Sequence, residues 1–164
     1  MDEAIITTRS ATLEDADGIA RIYIESAEYH ARLDPERHIV PAVEAIAARY
    51  REGRQHPPDA GEEGVTLVAE LGSEIVGFAD ARLQQPPDPT HREMIYCHIV
   101  EIAVSNRHQN QGIGGLLLSA VEDWGRRHGA EFASLDHLAA NTRAGAFYQH
   151  MGYHTAAIIA LKRL

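Results

Sequence analysis

Between Val100 and Leu118 an apolar, β-branched run, Val100-Glu101-Ile102-Ala103-Val104, gives way to the polar stretch Ser105-Asn106-Arg107-His108-Gln109-Asn110-Gln111. Gly112-Ile113-Gly114-Gly115 follows and leads into Leu116-Leu117-Leu118. This pattern predicts a strand, a turn and the glycine-rich start of an amphipathic helix. The first N–H groups of such a helix have no partner within it and point at whatever lies in front of them. Gly112, Gly114 and Gly115 lack a Cβ, so a bulky anion can approach the main chain closely. The helix dipole adds partial positive charge at the same place. The stretch therefore reads as a phosphate cradle, with a turn that binds nothing as its rival.

The rest of the chain limits what such a cradle can serve. With 164 residues it is most simply one domain, 1–164, long enough to bury a sizeable core. A net charge of −9 argues against a general nucleic-acid partner, which needs a basic face, and is compatible with an amine substrate. Cys97 is the only cysteine, so neither an internal disulfide nor a cysteine metal cluster can form. The ten histidines include no H-E-x-x-H or comparable spacing, and no metal is expected. No apolar run reaches membrane-spanning length, and Met1-Asp2-Glu3 lacks the basic start of a signal peptide. The expectation is a cytoplasmic protein with no membrane partner.

Taken in order, Ala4 to Arg9 predicts a first strand, and Thr12-Leu13-Glu14-Asp15 resembles a capping box with a short acid in the last place. Ala16, Ile19, Ala20, Tyr23 and Ala27 give the first helix its apolar face. A second helix is expected from Pro41, with Val43, Ile46, Ala47 and Tyr50 as its stripe. Arg51 to Gly64 reads as an exposed loop. Strands are expected at Val65–Glu70 and Ile75–Ala81, close enough in sequence to form an antiparallel hairpin. After an exposed turn at Gln85–Thr90, Met94 to Val104 predicts a central strand. Gly114 opens a helix capped by Gly129, and Phe132–Asp136 is the next strand. Asn141 or Thr142 caps a last helix that Gly152 stops, and Tyr153–Leu161 is expected as a closing strand. The order β-α-α-β-β-β-α-β-α-β fits a mixed α/β sheet with helices on both faces.

A dinucleotide fingerprint needs a third glycine where this chain has Leu117, and no Walker-type G-x-x-x-x-G-K-[ST] occurs. What does occur, after the strand ending Ile102-Ala103-Val104, is Gln109-Asn110-Gln111-Gly112-Ile113-Gly114. It resembles the Q/R-x-x-G-x-G/A motif of the GNAT N-acetyltransferases. A second segment, Asn141-x-x-Ala144-x-x-x-Tyr148-x-x-x-Gly152-Tyr153, is similar to the closing part of the same family, and the order of elements agrees from Ile5 onward.

The resemblance implies a GNAT-like fold and an acetyl-coenzyme A cosubstrate. Its pyrophosphate would lie on the amides of Gln109, Asn110, Gln111, Gly112, Ile113, Gly114 and Gly115, and its pantetheine arm along Ile102, Ala103 and Val104. Asn141, Ala144, Phe147 and Tyr148 would complete the cofactor site. Direct transfer in a ternary complex follows by the same resemblance. Dimers are common among similar proteins, which leaves a homodimer open; nothing in this sequence shows one.

Acyl transfer from a thioester to an amine needs a neutral amine, hence a proton acceptor. It also needs a donor for the developing oxyanion, such as a strand N–H, and an acid near the leaving sulfur. The resemblance gives Tyr148 the acid's role, against a plain aromatic packing role. His98, Glu101 and Asp136 are candidate bases, in place of a water or no base at all. Strict alternation puts His98 and Glu101 on opposite faces of a strand, whereas a bulge would reverse that parity. Cys97, among apolar neighbours, is not expected to be a nucleophile. Between the first two helices, Glu28, Tyr29 and Asp34 could recognise a cationic acceptor or simply be a solvated helix end. The acceptor, a small-molecule or peptide amine, stays open. The rival functions are a non-catalytic acyl-coenzyme A sensor or interaction module on this fold, and an α/β binding domain without coenzyme A.

Overall fold

The structure, a computed structural model, describes residues 5–53, 63–86 and 88–164. Ala4 of the expected first strand, residues 54–62 of the expected Arg51–Gly64 loop and Pro87 of the following turn lie outside the described residues. Five strands form one sheet: β1 (Ile6–Ser10), β2 (Gly64–Leu71), β3 (Glu74–Gln84), β4 (Tyr96–Val104) and β5 (Phe132–Leu135). They lie side by side in sequence order. β1 to β4 pair antiparallel, and β4 pairs with β5 in parallel. Four helices accompany them: α1 (Ala16–Leu33), α2 (Val43–Arg51), α3 (Ile113–Arg127) and α4 (Thr142–His150). The mixed α/β class expected from the sequence is the one observed.

Each face of the sheet buries its own core. On one, Leu67, Ala69, Val76, Ala79 and Ile99 meet Leu117, Leu118 and Val121 of α3. On the other, Val68 and Phe78 meet Ile19 and Ile22 of α1 and Ile46 and Tyr50 of α2. The split follows from strand alternation, which sends neighbouring residues to opposite faces. Each fully buried Leu or Phe contributes about 1.5–3 kcal/mol. The turn into α1 is held electrostatically: Arg9 on β1 donates to both oxygens of Asp15, at 2.7 and 2.9 Å. The Thr12 N–H donates to the same carboxylate at 2.7 Å, as a capping box requires. Chiefly through the Arg9 hydrogen bond, Asp15 is lowered to about 2.

Two expectations need correction. α2 starts at Val43, two residues after Pro41. The closing strand expected at Tyr153–Leu161 is not formed: beyond Gly152 the chain has no strand pairing. Ile158, Ile159 and Leu161 are exposed, and Arg163 pairs with Glu36, in the α1–α2 connection, at 2.9 Å. β-Branched composition marks a segment that fits a sheet, but a strand also needs an edge to pair with. The path toward Glu36 does not pair this segment with one. No helix among the described residues is long and apolar enough to cross a membrane.

Candidate active site

β4 and β5 pair only from Tyr96↔Phe132 to Ile99↔Leu135. Beyond that point β5 has ended while β4 continues to Val104, so the backbone of 100–104 on that side faces a cleft instead of a strand. The cleft, ≈ 2480 Å³, also reaches the start of α3, one side of α4, and the α1–α2 connection. Typical small-molecule pockets hold about 300–1,000 Å³, so this one has room for two ligands together.

At one end lies the glycine cradle. Gly112 is the N-cap of α3 with φ +79, a left-handed conformation that side chains with a Cβ rarely adopt, and a Cβ built there would meet nothing within 4 Å. Space is open beside Gly112, whereas Gly114 and Gly115 face Phe147 and Met151; the first N–H groups of α3 have no partner within the helix, as a phosphate site requires. Asn110 is also left-handed, with φ 64. Arg143, at the start of α4, donates to Gln109 Oε1 at 2.7 Å and to Asn110 Oδ1 at 3.3 Å. It brings a cation to the cradle from 33 residues away. The sequence pattern left its position unspecified, between Asn141 and Ala144.

The predicted cofactor residues separate into groups. Ile102, Ala103, Val104, Gln109, Asn110, Gly112, Gly114, Gly115, Ala144, Phe147 and Tyr148 line the cleft. Ile113 also borders it, but the residue is 1% exposed and its side chain belongs to the core. Gln111 is exposed and does not line the cleft. Asn141 reaches the wall, yet its side-chain oxygen accepts from Ala144 N–H at 3.1 Å as the N-cap of α4.

The three candidate bases are also told apart. Across β3 and β4, Arg82 faces His98 and Asp80 faces Glu101, with Val100 as the extra residue of a bulge. Arg82 and Asp80 share a face, so His98 and Glu101 do too: the bulge reverses the strict alternation. His98 is engaged at Nδ1 with Ser134 Oγ, at 3.0 Å, and does not line the cleft. Asp136 lines it just past the end of β5. Glu101 lines it and accepts a hydrogen bond from Ser26 Oγ of α1 at 3.2 Å.

Burial, and then the charge of Asp80, push the Glu101 carboxyl up to about 7, against the opposing effects of Ser26 and Arg49. Asp80 is 1% exposed and fully occupied structurally, accepting from Tyr50 Oη and Thr66 Oγ1 at 2.6 Å each. Neither Ser26 nor Asp80 stood out in the sequence, since both meet Glu101 only through the fold.

Tyr148 stands on α4 among the rings of Phe147, His137 and Tyr153, with centroids 5.2, 5.7 and 6.0 Å away. Burial, then Glu101, pushes its hydroxyl up to about 12. The neighbouring Tyr153 hydroxyl donates to Glu122 at 2.9 Å, whereas no described residue hydrogen-bonds the Tyr148 hydroxyl. Among the described residues no group of three or more side chains is arranged to hold a metal ion.

A parallel strand pair that ends at Ile99↔Leu135, a helix entered at Gly112 and a helix bearing Tyr148 border one cleft. Residues 25–153 match the Acetyltransferase (GNAT) family, and the chain belongs to that family. A relative is the uncharacterized N-acetyltransferase YhfO of Bacillus subtilis (strain 168), 26% identical over 145 residues, covering 88% of this chain and 87% of that one. A variant of the BH1408 protein from Bacillus halodurans shares the fold, with TM-score 0.85, 24% identity, and 96% and 99% of the two chains covered. So does the aminoglycoside N-acetyltransferase AAC(6')-Iy in complex with CoA, with TM-score 0.73, 17% identity, and 99% and 96% covered.

Proposed function

We propose that this member of the GNAT family transfers an acetyl group from acetyl-coenzyme A directly to a primary amine, both bound at once. The observation that carries the reading is that Glu101 lines the same cleft as the cradle at Gly112 and the α1–α2 connection. The open amides at the start of α3, with Arg143 beside them, suit a pyrophosphate. The unpaired edge of β4 past Ile99 offers N–H groups to an extended pantetheine arm and to the thioester oxygen as charge develops on it. That AAC(6')-Iy is described with CoA on the same fold supports the assignment.

Glu101 is the proposed base, because it lines the cleft and its raised pKa suits proton acceptance near neutrality. It takes the proton of the incoming ammonium, directly or through one water, leaving a neutral amine to attack. Tyr148, which stays protonated at neutral pH, donates to the departing thiolate. His98 is proposed as a positioning residue on the β4–β5 pair, given its bond to Ser134.

The test has two measurements on the full chain. Acetyl-coenzyme A should raise the melting temperature, as any ligand of the folded state does. Thiol release from acetyl-coenzyme A should require an added amine. A melting shift without amine-dependent release would instead identify a sensor, and no shift would remove coenzyme A altogether.

A further inference from the structure

Resting on that reading, we infer that the acceptor amine also carries an anionic group, a carboxylate or phosphate, bound beside His30, Arg32 and His38 at the α1–α2 end of the cleft. Ser26, the partner of Glu101, is one helical turn before His30 on α1, about 6 Å along the axis. The wall beyond the reacting nitrogen therefore begins at His30. His30 and His38 face each other with ring centroids 5.9 Å apart, and both line the cleft. His38 Nδ1 is buried, and no described residue hydrogen-bonds it. Arg32 lines the same end, its guanidinium 5.7 Å from the centre of the Tyr29 ring, and Tyr29 is a lining residue as well.

The acids that would attract a cation are withdrawn or committed. Glu28 is exposed and outside the cleft. Asp34 is paired with Arg37 and lies 3.8 Å from His38 Nδ1. Glu25 accepts from the Asn106 N–H at 2.6 Å. Glu101 itself faces the amine. What remains toward the distal end of an acceptor is an arginine and two imidazoles, a donor set for an anion. The acidic chain as a whole invites a polyamine, but at this end Asp34 and Glu36 are paired with Arg37 and Arg163, while Arg32 and His30 stay on the cleft wall.

The experiment compares four amines of similar length under identical acetyl-coenzyme A: butylamine, putrescine, γ-aminobutyrate and aminopropyl phosphate. The expected result is a kcat/KM about tenfold or more above butylamine for the carboxylate or the phosphate, whichever anion fits, with putrescine lowest. Arg32→Gln should cut that preference about tenfold through KM, and Arg32→Lys should restore most of it. Preference for putrescine or butylamine, or an unchanged ratio in Arg32→Gln, overturns the anionic acceptor alone. Turnover of none of the four, with thiol release on adding other amines, overturns this inference alone; a melting shift with acetyl-coenzyme A but no release with any amine of a broad panel overturns the acetyltransferase reading as well.

Discussion

The hydroxyl of Ser26 donates to Glu101 Oε1 at 3.2 Å, joining helix α1 to strand β4 across 75 residues of sequence. The contact fixes a carboxylate in the cleft wall, and it depends on the bulge at Val100 that turns Glu101 toward α1. It also opposes, by stabilising the charged form, the burial that raises the Glu101 pKa.

Glu101→Gln should lower kcat/KM about 10²–10⁴-fold, the usual contribution of a general base. The wild-type rate should rise with pH through about 7 as Glu101 ionises, and that limb should disappear in the variant. Stability moves oppositely. A folded-state pKa raised from 4.5 to about 7 means that the folded protein holds this proton more tightly than the unfolded chain. Its stabilising contribution is complete below 4.5 and is lost as pH climbs to about 7. Glu101→Gln should therefore melt higher than wild type at pH 8 and show no such advantage near pH 4. Melting curves at the two pH values check the sign.

Tyr148→Phe keeps the ring among Phe147, His137 and Tyr153 and removes only a hydroxyl that no described residue hydrogen-bonds. Its melting temperature should stay close to wild type while kcat falls about 10²-fold, provided acyl transfer limits the rate. Single-turnover measurements with excess enzyme isolate that step. Full activity in this variant would strip Tyr148 of the acid's role.

Cys97 is 1% exposed and packs where Gly125 brings α3 down on β4; a Cβ built on Gly125 would come within 2.6 Å of Cys97 Cβ. Burial, then Glu122, raises its thiol to about 11, so it is not a thiolate near neutrality. Cys97→Ala should retain most turnover and lose about 1 kcal/mol of stability, as a small cavity predicts. Loss of turnover without loss of stability would reopen a covalent route.

Asn141→Ala removes the side-chain cap of α4, the helix that carries Phe147 and Tyr148. The expected cost is about 0.5–2 kcal/mol of stability, measured by denaturant titration. Asn141→Asp, which preserves the accepting oxygen, should recover most of it. Recovery would identify Asn141 as a helix cap at the edge of the cleft.

The sequence made the cradle legible because its information is local. The end of a strand, three glycines and the start of an amphipathic helix lie within nineteen consecutive positions, and the left-handed cap at Gly112 is a property of its own backbone. The two-faced sheet was legible for the same reason, through the hairpin strands at Val65–Glu70 and Ile75–Ala81 and the helical spacing in α1 and α3. The choice among His98, Glu101 and Asp136 was not, because it turns on a bulge set by the pairing of β4 against β3. Ser26 and Arg143 acquire meaning only from partners 75 and about 34 residues distant. The closing strand was misread in the opposite way: Tyr153–Leu161 has the composition of a strand but no pairing edge.

The most direct test of the central claim is the initial rate of thiol release measured over a matrix of acetyl-coenzyme A and amine concentrations. Direct transfer in one cleft that holds both substrates predicts release that depends on the amine, with double-reciprocal lines that intersect. Release independent of the amine, or parallel lines signifying an acetylated enzyme, would contradict it.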